Sequence, residues 1–283
     1  MNLFKIISDL EKVEPEALER INSRRDIFGA LASMGKKTAL AAAPIAIGSI
    51  FNKAFAGTQD AVAVFKYALL LEYLEEDFYA QALAKTGLVP TGAPLGAIQQ
   101  IKKHESAHVV LIETALGAAH NSMRPAKGFN FGTAFDSYTN FLATAQSLED
   151  GGVRAYKGKA TELQANNITI AAANSDALTI ALQIHSVEAR HAAHIRQMRR
   201  ALGGTAANQA AWITNAEANG AVAAIYGAGT PATTFPSEAN TSQGGLNLAT
   251  VLTGYSAADI SEAFDEGLDE ATVKSIVGPF VVV

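Results

Sequence analysis

The sequence predicts an all-α protein, a four-helix bundle over residues 57–204 followed by a C-terminal extension over residues 205–283. Three observations predict it. Four long segments repeat apolar residues at helical spacing, and each ends or begins at a recognisable stop or cap. Hydrophobic residues make up 49% of the 283, with alanine prominent, which suits closely packed helices better than a sheet. Two of the four segments carry a Glu-x-x-His pair, and the segment before each carries a glutamate on its apolar stripe.

The first 56 residues are set apart. Ser23-Arg24-Arg25-Asp26-Ile27-Phe28 precedes an apolar, alanine-rich run over residues 38–51 and then Ala54-Phe55-Ala56. This resembles a twin-arginine export signal with a small-x-small cleavage site, which implies a periplasmic or otherwise exported protein. The run is too short and too alanine-rich for a stable membrane span, so none is expected in the mature chain. The other reading is a retained segment, an amphipathic N-terminal helix followed by an apolar one. Asp9, Glu11, Glu14, Glu16 and Glu19 ahead of the arginines suit that reading.

The first helical pattern covers about residues 60–85, with Phe65, Leu69, Glu72, Glu76, Tyr79 and Leu83 on one stripe and Gly87 as its stop. The second begins near Pro94, a good first-turn residue, carries Ile98, Ile101, Glu105, His108 and Ile112, and ends at Gly117. A longer Gly/Pro-containing connection over 120–132 suits a crossover between halves of the bundle. The third pattern, about 133–163, holds Phe135, Leu142, Glu149, Tyr156 and Leu163. Gly151 and Gly152 interrupt it, each costing about 1 kcal/mol relative to alanine. Because the stripe stays in phase to Leu163, they read as a bulge or close helix approach rather than a break. The fourth starts at the Asn174-Ser175-Asp176 cap cluster, presents Leu178, Ile184, Glu188, His191 and Ile195, and stops at Gly203-Gly204. Beyond it, a fifth helix is expected around Trp212, a loop over 230–247, and two short helices within 257–277. The apolar end, 278–283, must pack on the bundle or in a subunit contact of a homo-oligomer.

A weak internal repeat relates the halves: Glu72 precedes Tyr79 by seven residues, as Glu149 precedes Tyr156. The repeat selects Glu72 over its neighbours Glu75 and Glu76, with Glu76 as the alternative on the same stripe.

Positions three apart on a helix share a face, so Glu105 with His108 and Glu188 with His191 can each aim a carboxylate and an imidazole at one point. With Glu72 and Glu149 they make six candidate ligands, the inventory of a dimetal carboxylate site inside a bundle. Four carboxylates converging in apolar surroundings repel one another and resist desolvation; two divalent cations balance them. Such oxygen-rich ligation with two imidazoles favours iron or manganese over zinc. His104, His185 and His194, with Tyr79 and Tyr156, are the candidates to hydrogen-bond the ligands from behind. The chain has no cysteine, which excludes disulfides, thiolate zinc sites, iron–sulfur clusters and cysteine nucleophiles. A net charge of -5 without a basic stripe argues against nucleic acid as a partner.

Glu72, Glu105 with His108, Glu149, and Glu188 with His191 are similar in type and order to the ligands of bacterioferritins and rubrerythrins, so the chain resembles the ferritin-like proteins. The text around them, 71–79 (LEYLEEDFY) and 186–191 (SVEARH), is closer to exported ferritin-like proteins related to plant desiccation-associated proteins. The resemblance implies a ferritin-like bundle holding two transition-metal ions, iron or manganese, with oxygen or peroxide as the small-molecule partner. An oxidase or peroxide-handling role in stress protection is the leading expectation. Manganese catalase-like disproportionation, or a protective protein with purely structural metals, are the others. The long tail departs from cage-forming ferritins, and the absent cysteines exclude a rubredoxin-like electron supply within the chain.

Overall fold

Helix α1 (Ala61–Ala84) packs along α2 (Ala93–Leu116), and α3 (Tyr138–Ala165) along α4 (Ala177–Leu202); the two pairs meet chiefly through α1 against α3. The computed structural model describes residues 61–121, 123–170 and 173–282, so the expected export signal lies outside the described residues. The chain is all-α there apart from two small antiparallel ladders, β1 (Thr169–Ile170) with β2 (Ser175–Asp176) and β3 (Ser242–Gln243) with β4 (Leu246–Asn247). No helix among the described residues is long and apolar enough to cross a membrane.

Local chemistry sets the helix ends. Gly92, with φ of 86°, turns the chain into α2, where Pro94 sits in the first turn and costs no hydrogen bond. The third helix starts later than its stripe predicts. Residues Gly132–Phe135 form a 3-10 turn, and Ser137 then caps α3 by accepting from the Asn140 amide at 3.1 Å. Phe135 is held outside the helix because its ring packs on Phe78, 5.3 Å away, within an aromatic cluster that also takes in Phe131 and Phe141. Asp176 caps α4 as expected, accepting from the Thr179 amide at 2.9 Å.

Helix α3 runs unbroken through Gly151 and Gly152, both buried. A Cβ built on Gly151 would lie 3.2 Å from Ile225 Cδ1, and one on Gly152 would lie 3.4 Å from Glu75 Oε1. Close approach of Ile225 accounts for Gly151, while a Cβ on Gly152 would meet Glu75 at ordinary contact distance.

The extension lies against α3 and α4. The fifth helix expected around Trp212 does not form; residues 205–229 contain only 3-10 turns. Asn215, Asn219 and Gly220 adopt left-handed backbone, with φ of 49°, 49° and 86°, which breaks any helix. Arginines of α4 also claim carbonyls a helix would need: Arg199 bonds the Asn219 oxygen at 2.7 Å and Arg196 reaches that of Trp212 at 3.5 Å. Tertiary bonding overrides alanine's propensity. Three short helices follow, α5 (Leu248–Val251), α6 (Ala257–Ser261) and α7 (Glu270–Val277). The apolar end packs on the 120–132 connection: the Asn130 amide donates to the Phe280 oxygen at 2.8 Å, and Phe280 lies on Phe131.

Arg154, fully buried, fastens the extension to α3 by donating to the carbonyls of Ile225, Gly227, Pro236, Glu266 and Gly267 and pairing with Glu238 at 2.8 Å. One turn further on, two glycines let backbones touch. A Cβ built on Gly267 would lie 2.9 Å from the Gly158 Cα, and one on Gly158 would overlap the Leu268 carbonyl oxygen. Gly158→Ala is therefore expected to cost about 1–3 kcal/mol by overpacking, read as a lower urea midpoint. Gly96→Ala is the control: it lies exposed on α2 with nothing within 4 Å of a new Cβ, so it should gain about 0.5–1 kcal/mol.

Candidate metal centre

All six residues singled out by spacing meet in the middle of the bundle. Glu72, Glu105, Glu149 and Glu188 are fully buried, and His108 and His191 nearly so. His108 Nδ1 lies 3.2 Å from Glu72 Oε2, 3.1 Å from Glu105 Oε2 and 3.1 Å from Glu188 Oε1. His191 Nδ1 lies 2.9 Å from Glu105 Oε1, 3.2 Å from Glu149 Oε2 and 3.6 Å from Glu188 Oε2. One imidazole N–H can serve one acceptor well, not three. Each cluster is instead a nitrogen and three oxygens facing a shared point. Glu105 and Glu188 belong to both, giving one oxygen to each, while Glu72 and Glu149 each belong to one.

The arrangement follows the repeat read from the sequence, with one exchange. Tyr79 and Tyr156 do not bond the glutamates on their own helices. Tyr79 of α1 donates to Glu149 of α3, and Tyr156 of α3 donates to Glu72 of α1. Seven residues along a helix is too far for a side chain to reach back; the facing helix brings the partner. Each phenol ties one helix pair to the other at the cluster.

A family model described as the ferritin-like domain matches residues 60–201, half of the chain. The chain belongs to the ferritin-like domain family. No curated protein and no solved structure matches it.

Within this ferritin-like bundle the cluster holds polar atoms that the protein alone does not satisfy. Glu105 Oε1, Glu149 Oε2, both Glu188 oxygens and His191 Nδ1 are buried and lack hydrogen-bond partners among the described residues, although His191 Nδ1 lies so near Glu105. The atoms are close but not aimed along hydrogen-bond directions. Native proteins rarely leave such groups unbonded, because each costs about 1–3 kcal/mol. Cations at the two shared points would satisfy them, so the donor set fits a pair of metal ions.

Electrostatics in the metal-free ferritin-like bundle tell the same story. Burial pushes the Glu72 carboxyl up to about 8, with Glu188 and Glu105 adding repulsion against the bond from His108. Burial and neighbouring carboxylates also raise Glu149. Burial opposes charge on Glu188 too, but the two imidazoles beside it outweigh burial and hold that carboxyl at about 2. Desolvation disfavours charge on the two imidazoles, yet the carboxylates around them win and hold both well above the usual histidine range.

The flanking candidates divide. His104 Nδ1 lies 2.8 Å from His191 Nε2, the nitrogen turned away from the carboxylates, and its own Nε2 lies 2.6 Å from the Gln100 amide. This contact holds the His191 ring by its outer nitrogen and leaves Nδ1 facing the carboxylates. His185 bonds none of the six; its charged neighbours are Asp265 and Lys157 from outside the cluster, with Glu188 behind. His194 is exposed, because six residues past Glu188 it stands about 120° round the helix from that carboxylate. Neither residue fills the role the spacing suggested. Glu76 also turns outward, to Arg124, and accepts from Ser106 at 2.8 Å.

Sequence reasoning passed over Glu75. It is buried beside the cluster, and burial with repulsion from Glu188, Glu149, Glu105 and Glu72 raises its carboxyl well above the usual range. Two signals pointed to it. It stands three residues after Glu72, on the same face, and the repeat that maps Glu72 to Glu149 maps Glu75 to Gly152. The carboxyl occupies the space its glycine counterpart leaves open.

Proposed function

We propose that the protein binds two transition-metal ions, iron or manganese, and uses them to react with dioxygen or peroxide. The observation that carries this reading is the pair of nitrogen-and-three-oxygen clusters sharing Glu105 and Glu188. Glu72 and His108 would hold one ion, Glu149 and His191 the other, and the two shared carboxylates both. Four carboxylates then offset four positive charges inside the bundle. Tyr156 and Tyr79 orient the unshared carboxylates, and His104 holds the His191 ring by its outer nitrogen. When bound, the two ions would supply redox chemistry toward dioxygen or peroxide.

The test is oxidation of anaerobically loaded ferrous protein on mixing with dioxygen. Oxidation much faster than that of free ferrous ion in the same buffer is expected. Oxidation no faster than the free ion, in protein that holds its metal, overturns the reading. Oxygen release from peroxide by manganese-loaded protein would favour disproportionation instead.

A pH dependence follows from the proton inventory. Glu72 holds its proton to about 8 when folded but only to about 4.5 when unfolded, and the two imidazoles also keep protons longer when folded. Across that range the folded state binds more protons, so metal-free stability falls as pH rises. Glu188, held at about 2, acts oppositely, and its contribution is lost only as pH falls below about 4.5. Metal displaces the retained protons, so apparent affinity should rise with pH. Melting curves with and without metal between about pH 5 and pH 8 check both signs. A metal-free melting temperature that climbs through this window would contradict the assignment.

A further inference from the structure

A cavity of about 60 Å³, partly open at the exposed Val222, lies between α1, α3, the 3-10 turn Ala223–Ile225 and α7. Its walls are chiefly hydrocarbon, from Leu71, Leu74, Leu148, Ile225, Val273 and Ile276. Three polar side chains reach it: Thr144, Ser147 and Glu75. The Ser147 hydroxyl is already engaged, donating to the Ala143 oxygen and accepting from the Val222 amide, both at 2.9 Å. At the inner end stand Glu75 and Gly152. A Cβ built on Gly152 would lie 3.4 Å from Glu75 Oε1 and 3.6 Å from Glu188 Cγ. Only a carboxyl and a glycine backbone separate the cavity from one of the two shared carboxylates.

Size and lining decide what fits. A buried water needs two to four polar partners, and this lining offers few. An engineered apolar cavity of about 150 Å³ stays dry and takes benzene or xenon. At about 60 Å³ this one is too small for a ring or an alkyl chain but large enough for a small apolar gas. We propose that the cavity holds dioxygen and is its route to the dimetal centre, with Gly152 and Glu75 forming the inner wall it passes. The inference rests on the oxygen-reacting function proposed above and adds where the gas is taken up. A Cβ on Gly152 would already touch Glu75 and Glu188, so a side chain larger than a methyl there would narrow this wall.

Two measurements test it. Xenon, an apolar gas that needs no variant, should occupy this cavity in a pressurised crystal of the full chain. Ile276→Trp and Val222→Phe, on separate walls and away from the six candidate ligands, should fill it. In iron-loaded protein each variant should slow oxidation by dioxygen about tenfold, while oxidation by hydrogen peroxide, a polar oxidant, stays within about twofold of wild type. Xenon density plus that selective loss supports the route. Wild type that reacts with dioxygen while both filled variants react equally fast overturns the route alone. Wild type that holds two ions but ignores dioxygen overturns the proposed function and the route with it. If a filled variant does not fold, xenon decides, and its absence from the cavity overturns the proposal.

Discussion

Arg154→Ala is expected to destabilise the protein by about 3–5 kcal/mol, because it deletes a buried guanidinium and leaves the buried carbonyls it bonds without a donor. The guanidinium is fully buried and bonds five carbonyls of the extension, at 2.5 to 3.0 Å. Burial lifts the Glu238 carboxyl to about 8 even against the pull of Arg154, so at neutral pH it already holds a proton most of the time and the variant strands little negative charge. That limits the electrostatic part of the loss, and the five stranded carbonyls make up the rest. Arg154→Lys should recover little, since an ammonium cannot reproduce the planar fork. Urea unfolding would give the loss, and faster proteolysis within residues 205–282 would locate it. Stability within about 0.5 kcal/mol of wild type would mean that Arg154 does not hold the extension.

The second large effect separates shared from unshared residues at the cluster. Glu188→Ala removes an oxygen from both clusters and should abolish binding of both ions. His108→Ala removes a nitrogen from one cluster only, leaving Glu105, Glu149, Glu188 and His191 around the other, so about one ion per chain should remain. Metal-free Glu188→Ala should be less stable than wild type, because Glu188 is the carboxylate that both charged imidazoles hold ionised. Glu75→Gln should keep two ions and relieve crowding in the metal-free protein, since Glu75 lies outside both clusters. Equal metal loss in Glu188→Ala and His108→Ala would refute the shared-carboxylate geometry.

What could be read from the sequence was whatever depends on one helix at a time. Glu105 with His108 and Glu188 with His191 are three apart, so the helix alone aims each pair. The four helices and their ends at Gly117, Asp176 and Gly203 carry local signals that the structure follows to within a few residues. The third helix start at Ser137 was missed because Phe135 answers to an aromatic cluster drawn from distant parts of the chain. The exchange of tyrosines was hidden for the same reason: Tyr79 and Glu149 meet only because α1 faces α3. Glu75 was legible in principle but was treated as a rival to Glu72 rather than an addition to it. The expected helix around Trp212 failed where propensity met non-local bonds, the carbonyls of 212 and 219 being taken by Arg196 and Arg199.

The central claim is that two metal ions share Glu105 and Glu188. Elemental analysis of protein loaded anaerobically with ferrous or manganous ion and then exchanged into metal-free buffer tests it most directly. Two ions per chain are predicted for wild type, one for His108→Ala and none for Glu188→Ala. Wild type that retains less than about half an ion per chain would contradict the account.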